Sequence, residues 1–137
     1  MGIDDLNHQQ QMSGLANKQP ISHLTKDEQI AVIFDRVAAY NQTHDTSKPL
    51  FFDTETTGGG RNDQIIEIAF CDSDRHVIID TLIYTDRPSS PGAFKVHGIY
   101  PYELIGKPTF INIQPAIVQL LKGRTLYAYN ANFDIRM

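Results

Sequence analysis

The sequence predicts an α/β domain built around a mixed sheet, and three observations carry that reading. A capped helical pattern at 25–40 precedes three strand-like runs at 50–54, 64–70 and 76–84. A second helical pattern at 111–123 separates the third run from a fourth at 125–129. The turn between the second and third runs is short, which favours antiparallel neighbours, whereas a strand–helix–strand connection favours parallel pairing. Helices and a sheet in that order form an α/β layer rather than a bundle or a sandwich.

Residues 1–24 are polar, rich in Gln and Asn and aperiodic, and are expected to form a mobile tail. Residues 25–48 hold the leading helix and its loop. Thr25 and Glu28 make a capping-box pattern, and Ile30, Ile33, Phe34 and Val37 recur on one helical face. That face is expected to pack on the domain's own sheet. Pro49 then blocks further helix. The run Leu50–Thr54 (LFFDT) has the composition of a strand buried on both faces, and GGGRND after it reads as a turn. QIIEIAF and HVIIDTLIY read as strands joined at DSD (72–74). Short helical turns are expected around Gly98 and Pro101. Ile113, Ala116, Ile117, Leu120 and Leu121 mark the next helix, with Gly123 as its C-terminal cap. TLYAY reads as the fourth strand, and NANFDIRM as a strand-to-helix turn with one helical turn after it.

At 137 residues with 41% hydrophobic and 20% charged content, there is material for one core. A net charge of −4 argues against a broad basic face that coats a duplex, yet leaves room for local capture of a strand end. The single Cys71 rules out an internal disulfide and fits a reducing compartment. No run is apolar for long enough to span a membrane, and the N-terminus lacks a secretory h-region. The expected location is cytoplasmic, with no membrane partner.

Asp53 and Glu55 are the residues to explain, because ionised carboxylates are costly at the end of an apolar run unless paired or metal-bound. Two residues apart on a strand, they share a face. Two oxygen donors on a rigid strand suit Mg²⁺ or Mn²⁺. Thr56, Thr57 and Gly58 follow at the strand exit, where glycine lets a ligand approach the backbone. Asp134, expected in the first turn of the last helix beside this strand, is a third carboxylate, with Asn130 able to cap that helix. Taken singly, a D-x-E pair or a first-turn Asp has an ordinary structural reading. Glu67 is expected to face solvent or to be paired, His97 to be a structural loop residue and Cys71 a small buried one. His8, His23, His44 and His76 show no ligand spacing, and GGGR is not a P-loop.

Together, FFDTETTGGGRNDQIIEIAF, VHGI at 96–99 with KPTF at 107–110, and LYAYNANFDIRM resemble, in order and spacing, the first two motifs of the DnaQ-like 3′→5′ exonucleases with DEDD sites. That family includes proofreading subunits of bacterial DNA polymerase III. The resemblance covers about residues 49–137. It implies a ribonuclease H-like fold, with Asp53, Glu55 and Asp134 as three of four catalytic, metal-binding acids around two divalent ions, Mg²⁺ or Mn²⁺. It further implies that Thr54, Thr56, Thr57 and Gly58 contact the terminal nucleotide, and that Asn130 and Phe133 place the strand. The implied substrate is the 3′ end of a single-stranded nucleic acid, DNA favoured, and the implied partner a DNA polymerase. Tyr129 stands where the family usually has histidine before the Asn of its second motif. The third motif, with a general-base histidine and a fourth acid, finds no counterpart, so the chain is expected to cover the first two-thirds of such a domain, truncated at its C-terminus. The competing expectation is a catalytically incomplete fragment that binds nucleic acid or protein.

Overall fold

The computed structural model describes residues 23–128. Residues 1–22 of the expected tail (1–24), and Tyr129, Asn130, Phe133 and Asp134, lie outside the described residues.

Local capping starts both long helices. Thr25 Oγ1 accepts from the Glu28 N–H while the Glu28 carboxylate accepts from the Thr25 N–H, which closes the capping box of α1 (Lys26–Thr43). The helix runs three residues past Tyr40, its last turn closed by the His44 N–H donating to the Tyr40 carbonyl, and Tyr40 itself is buried with its hydroxyl anchored on Asp72. A second capping box, Thr109 with Asn112, opens α3 (Phe110–Leu121) one residue before the apolar pattern alone suggests. Gly123, just beyond α3, takes a left-handed φ of +76°. Between these helices lie β1 (Leu50–Thr56), β2 (Ile65–Asp72), β3 (Val77–Leu82), the short helix α2 (Pro91–His97) and a 3₁₀ turn at Pro101–Leu104, and β4 (Leu126–Ala128) follows α3.

The sheet order is β3-β2-β1-β4. β1–β2 and β2–β3 are antiparallel, and β4 runs parallel to β1, as the connections require. The ribonuclease H-like α/β expectation is therefore met by a mixed four-stranded sheet with flanking helices. Register assigns the faces. Leu50, Phe52 and Thr54 sit opposite Asp72, Phe70 and Ile68, while Phe51, Asp53 and Glu55 sit opposite Cys71, Ala69 and Glu67. The first face carries the core, where Leu50, Ile68, Phe70 and Ile79 meet Ile33 and Val37 of α1 and Ile113, Ala116, Ile117 and Leu120 of α3. The apolar face of α1 thus packs within its own domain.

Two expectations about β1 change. β1 extends to Thr56, because Glu55 and Thr56 still pair with β2 across a bulge. It is less enclosed than a two-sided strand: Phe51 and Phe52 are half-buried, stacked on Tyr127 and Phe70 respectively. Of the two alternatives for Glu67, solvent-facing or paired, the structure excludes the first: Glu67 is buried, opposite Glu55 in the ladder, and has an interaction partner. Cys71 is a buried free thiol, as expected.

Candidate active site at the exit of strand β1

Alternation places Asp53 and Glu55 on one face, both half-buried, with Glu67 across the ladder from Glu55. Asp53, Glu55 and Glu67 carry oxygen donors only, the ligand type that hard divalent cations take. Glu55 also opens into a cleft of about 310 Å³ at the strand exit. Thr54, Thr56 and Gly58 line one side of it, and Ala93, Val96 and His97 of α2 line the other. Asp53 is not part of this lining. β4 ends its described run with Ala128 beside Phe52, one residue short of the level of Asp53.

The turn that follows β1 is organised by a residue that the sequence did not single out. Asp63 accepts hydrogen bonds from Thr57 Oγ1 (2.8 Å), the Gly60 N–H (2.8 Å) and Arg87 Nε (2.9 Å). These donors, with the Arg87 guanidinium first, hold its carboxyl down at about 2. A Cβ on Gly58 would lie 2.6 Å from Asp63 Oδ2, so the glycine makes room for this carboxylate. The signal that could have found Asp63 is its position at the close of a glycine-rich turn that needs internal acceptors.

Thr57 is fully buried, and its hydroxyl is engaged inside the turn: it donates to Asp63 and accepts from the Gln64 N–H (2.9 Å). Thr56 Oγ1 donates to the Gly58 carbonyl (2.8 Å). The Thr57 carbonyl accepts from the Ser90 N–H (2.7 Å), and Ser90 caps α2, so the turn and α2 are fixed together.

His97, read from sequence as structural, has both ring nitrogens in use yet also walls the cleft. Its Nδ1 accepts from the Ile99 N–H (2.9 Å), which leaves the proton on Nε2 for Ser89 Oγ (3.1 Å). Burial pushes its pKa down, against an opposing contact with the Thr56 backbone. His97 is therefore a neutral wall.

A different correction concerns the histidines that looked scattered. His44 and His76 converge with Asp72 at the far end of β2, where one ligand atom from each lies within 4.8 Å of the others. Sequence spacing did not reveal this, because the β2–β3 turn and the end of α1 meet only through the sheet. No helix among the described residues is long and apolar enough to cross a membrane.

The sequence model of an exonuclease family (RNase_T) matches residues 50–137, which contain the whole sheet and the cleft. The chain is 43% identical over 88 residues to a DNA polymerase III subunit epsilon of Treponema pallidum (strain Nichols), covering 61% of this chain and 41% of that protein. It is 34% identical over 88 residues to an uncharacterised exonuclease of Escherichia phage 186, covering 64% and 45% respectively. With the DNA polymerase III subunit epsilon of Escherichia coli (strain K12), identity is 32% over 103 residues, covering 65% and 41%. The chain thus spans less than half the length of these relatives.

Proposed function

The chain belongs to the RNase_T exonuclease family and is DnaQ-like, and from that premise we propose that its β1 exit is part of a 3′→5′ exonuclease site acting on single-stranded DNA. The carrying observation is that Glu55, Thr54 and Thr56 open into one cleft, walled by α2, at the end of the strand that also presents Asp53. In this reading Asp53 and Glu55, with Asp134 from the segment after β4, hold Mg²⁺ or Mn²⁺. The parallel run of β4 toward Asp53 supports that grouping. When bound, a pair of such ions supplies Lewis-acid activation for phosphodiester hydrolysis.

The remaining roles fall to the chain's own residues. Thr54, Thr56 and Gly58 face the terminal nucleotide across the cleft, whose volume suits one small ligand moiety. Thr57 acts from within the turn, because its hydroxyl is committed there. Val96 and Ala93 supply an apolar wall, and neutral His97 places no cation beside the acids. Asn130 and Phe133 place the strand, and nucleoside 5′-monophosphates leave. Similarity to epsilon subunits supports a polymerase as partner.

Nucleotide release from a 3′-labelled single strand in Mn²⁺ tests the reading. In a version extended to include the third motif, the unmutated protein should release nucleotide, and Asp53→Ala should lower the rate by more than about 100-fold, beyond the losses seen for groups that only orient metal ligands. Equal rates would overturn the assignment. Mn²⁺-dependent strand binding without release in either protein would point instead to a binding module.

A further inference from the structure

The far end of β2 carries a second set of metal-ligand chemistry, separate from the family's acids. Asp72 and Glu67 stand at opposite ends of the β1–β2 ladder, against Leu50 and Glu55 respectively. Five residues at about 3.3 Å each put some 17 Å between them. We propose that His44, Asp72 and His76 form a Zn²⁺ site that clamps the end of α1 to the β2–β3 hairpin. Two imidazoles and a carboxylate are a Zn²⁺ donor set that leaves one position for water.

The geometry favours it. His76 Nδ1 and Asp72 Oδ2 are 3.1 Å apart, close to the ~3.3 Å edge of a tetrahedron whose bonds are ~2.0 Å. The rings of His44 and His76 are 5.6 Å apart between centroids. His44 Nδ1 lies 3.2 Å from the Tyr40 carbonyl and 2.8 Å from Thr43 Oγ1. An N–H donated to that carbonyl fixes the tautomer and leaves Nε2 as the coordinating atom, the outer-shell arrangement typical of metal-bound histidine. Stacking on Tyr40 at 4.1 Å sets the plane of the His44 ring.

Asp72 is equally prepared. Its side chain is fully buried. Its Oδ1 accepts from the Asp74 and His76 N–H groups (2.9 and 3.0 Å), and its Oδ2 accepts from the Tyr40 hydroxyl (2.8 Å). The nearby cations have their own hydrogen-bond partners: Lys48 pairs with Asp74, and Arg124 donates to the carbonyls of His44, Asp45 and Lys48 and to Asn41 while lying 5.0 Å over the Tyr40 ring. The His76 side chain is 59% exposed, which gives an ion a way in and the ring freedom to turn.

The test uses the purified chain with Zn²⁺ and with Co²⁺ as a visible reporter. In the Asp53→Ala/Glu55→Ala background one Zn²⁺ per chain should bind and raise the melting temperature, and Co²⁺ should give the visible absorption of a low-coordinate N/O site. His44→Ala/His76→Ala, which leaves the buried Asp72 in place, should lose affinity by on the order of 100-fold or more. Asp53→Ala/Glu55→Ala should keep full Zn²⁺ affinity at this site, which separates it from the proposed exonuclease acids. Zn²⁺ binding that is absent in wild type, or undiminished in the double-histidine variant, would overturn the proposal.

Discussion

The two hairpin turns at opposite ends of β2 solve the same problem with opposite means. Each closes around one aspartate. The β1–β2 turn uses a run of glycines, yet neither Gly58 nor Gly60 takes a left-handed φ. They are there for space, because their missing Cβ atoms would fall 2.6 and 2.9 Å from Asp63 Oδ2. The β2–β3 turn contains no glycine and does take a left-handed residue, Arg75 at φ +67°. The aspartates differ too. Asp63 is closed off by a permanent cation, Arg87. Asp72 is held by amides, a hydroxyl and an imidazole, and that imidazole, His76, is a group that can also ligate a metal. A turn completed by arginine is finished as structure, whereas one completed by histidine keeps a chemical option.

The sharpest way to break this comparison is Asp72→Ala. In metal-free buffer it strands the Tyr40 hydroxyl and the Asp74 and His76 N–H groups around a buried site. The expected cost is about 3 kcal/mol in denaturant unfolding, and a stability equal to wild type would show that the turn does not depend on its aspartate. The same loss should loosen α1, because Tyr40 is the helix's anchor on β2. Burial pushes the Asp72 carboxyl up, but hydrogen bonds from the His76 backbone, Tyr40 and the His76 ring outweigh it, and its pKa lies below the ordinary value.

Next in size is Gly58→Ala. The added methyl must displace a carboxylate held by three donors, an overpacking cost of about 1–2 kcal/mol. Coupling should be visible in a double-mutant cycle: with Asp63→Ala already made, the same Gly58→Ala change should cost much less. Additive losses would mean that the glycine serves something other than Asp63. Smaller again, Arg75→Gly should stabilise by about 0.5–1 kcal/mol, because it removes a left-handed side-chain penalty that exceeds glycine's extra chain entropy. A loss of stability there would place the arginine side chain, rather than its backbone, at the heart of the hairpin.

These turns also show where sequence reading stops. Thr25 with Glu28, and the apolar stripe of α3, were legible because each signal lies within one or two helical turns. The strand order followed from connection lengths. Asp53 and Glu55 were legible as a pair because period-two alternation is local. The cleft was not, because its second wall comes from α2, some 40 residues further along the chain. Asp63 was missed because one of its partners, Arg87, is 24 positions away. The grouping of His44 with Asp72 and His76 spans three elements whose approach is set by the α1 packing and the β2–β3 register. For Glu67 the sequence left open whether it faces solvent or is paired, because a lone charge in an apolar run reveals its face only once the register is known.

The smallest expected effect separates the two aspartates by pH. Asp63 has a folded pKa of about 2, depressed first by Arg87 and then by Thr57 and the Gly60 N–H, against an unfolded value near ~4. A depressed carboxylate adds stability that is fully present above its unfolded pKa and is lost as pH falls through the folded one. Asp63→Asn should therefore lie below wild type in melting temperature at pH 7, with the gap closing between about pH 4 and pH 2. Arg87 is 45% exposed, so added salt should shrink the gap at neutral pH. A gap that stayed constant to pH 2 would mean that the turn needs the shape of Asp63 and not its charge. The contrast with Asp72 would then rest on burial alone.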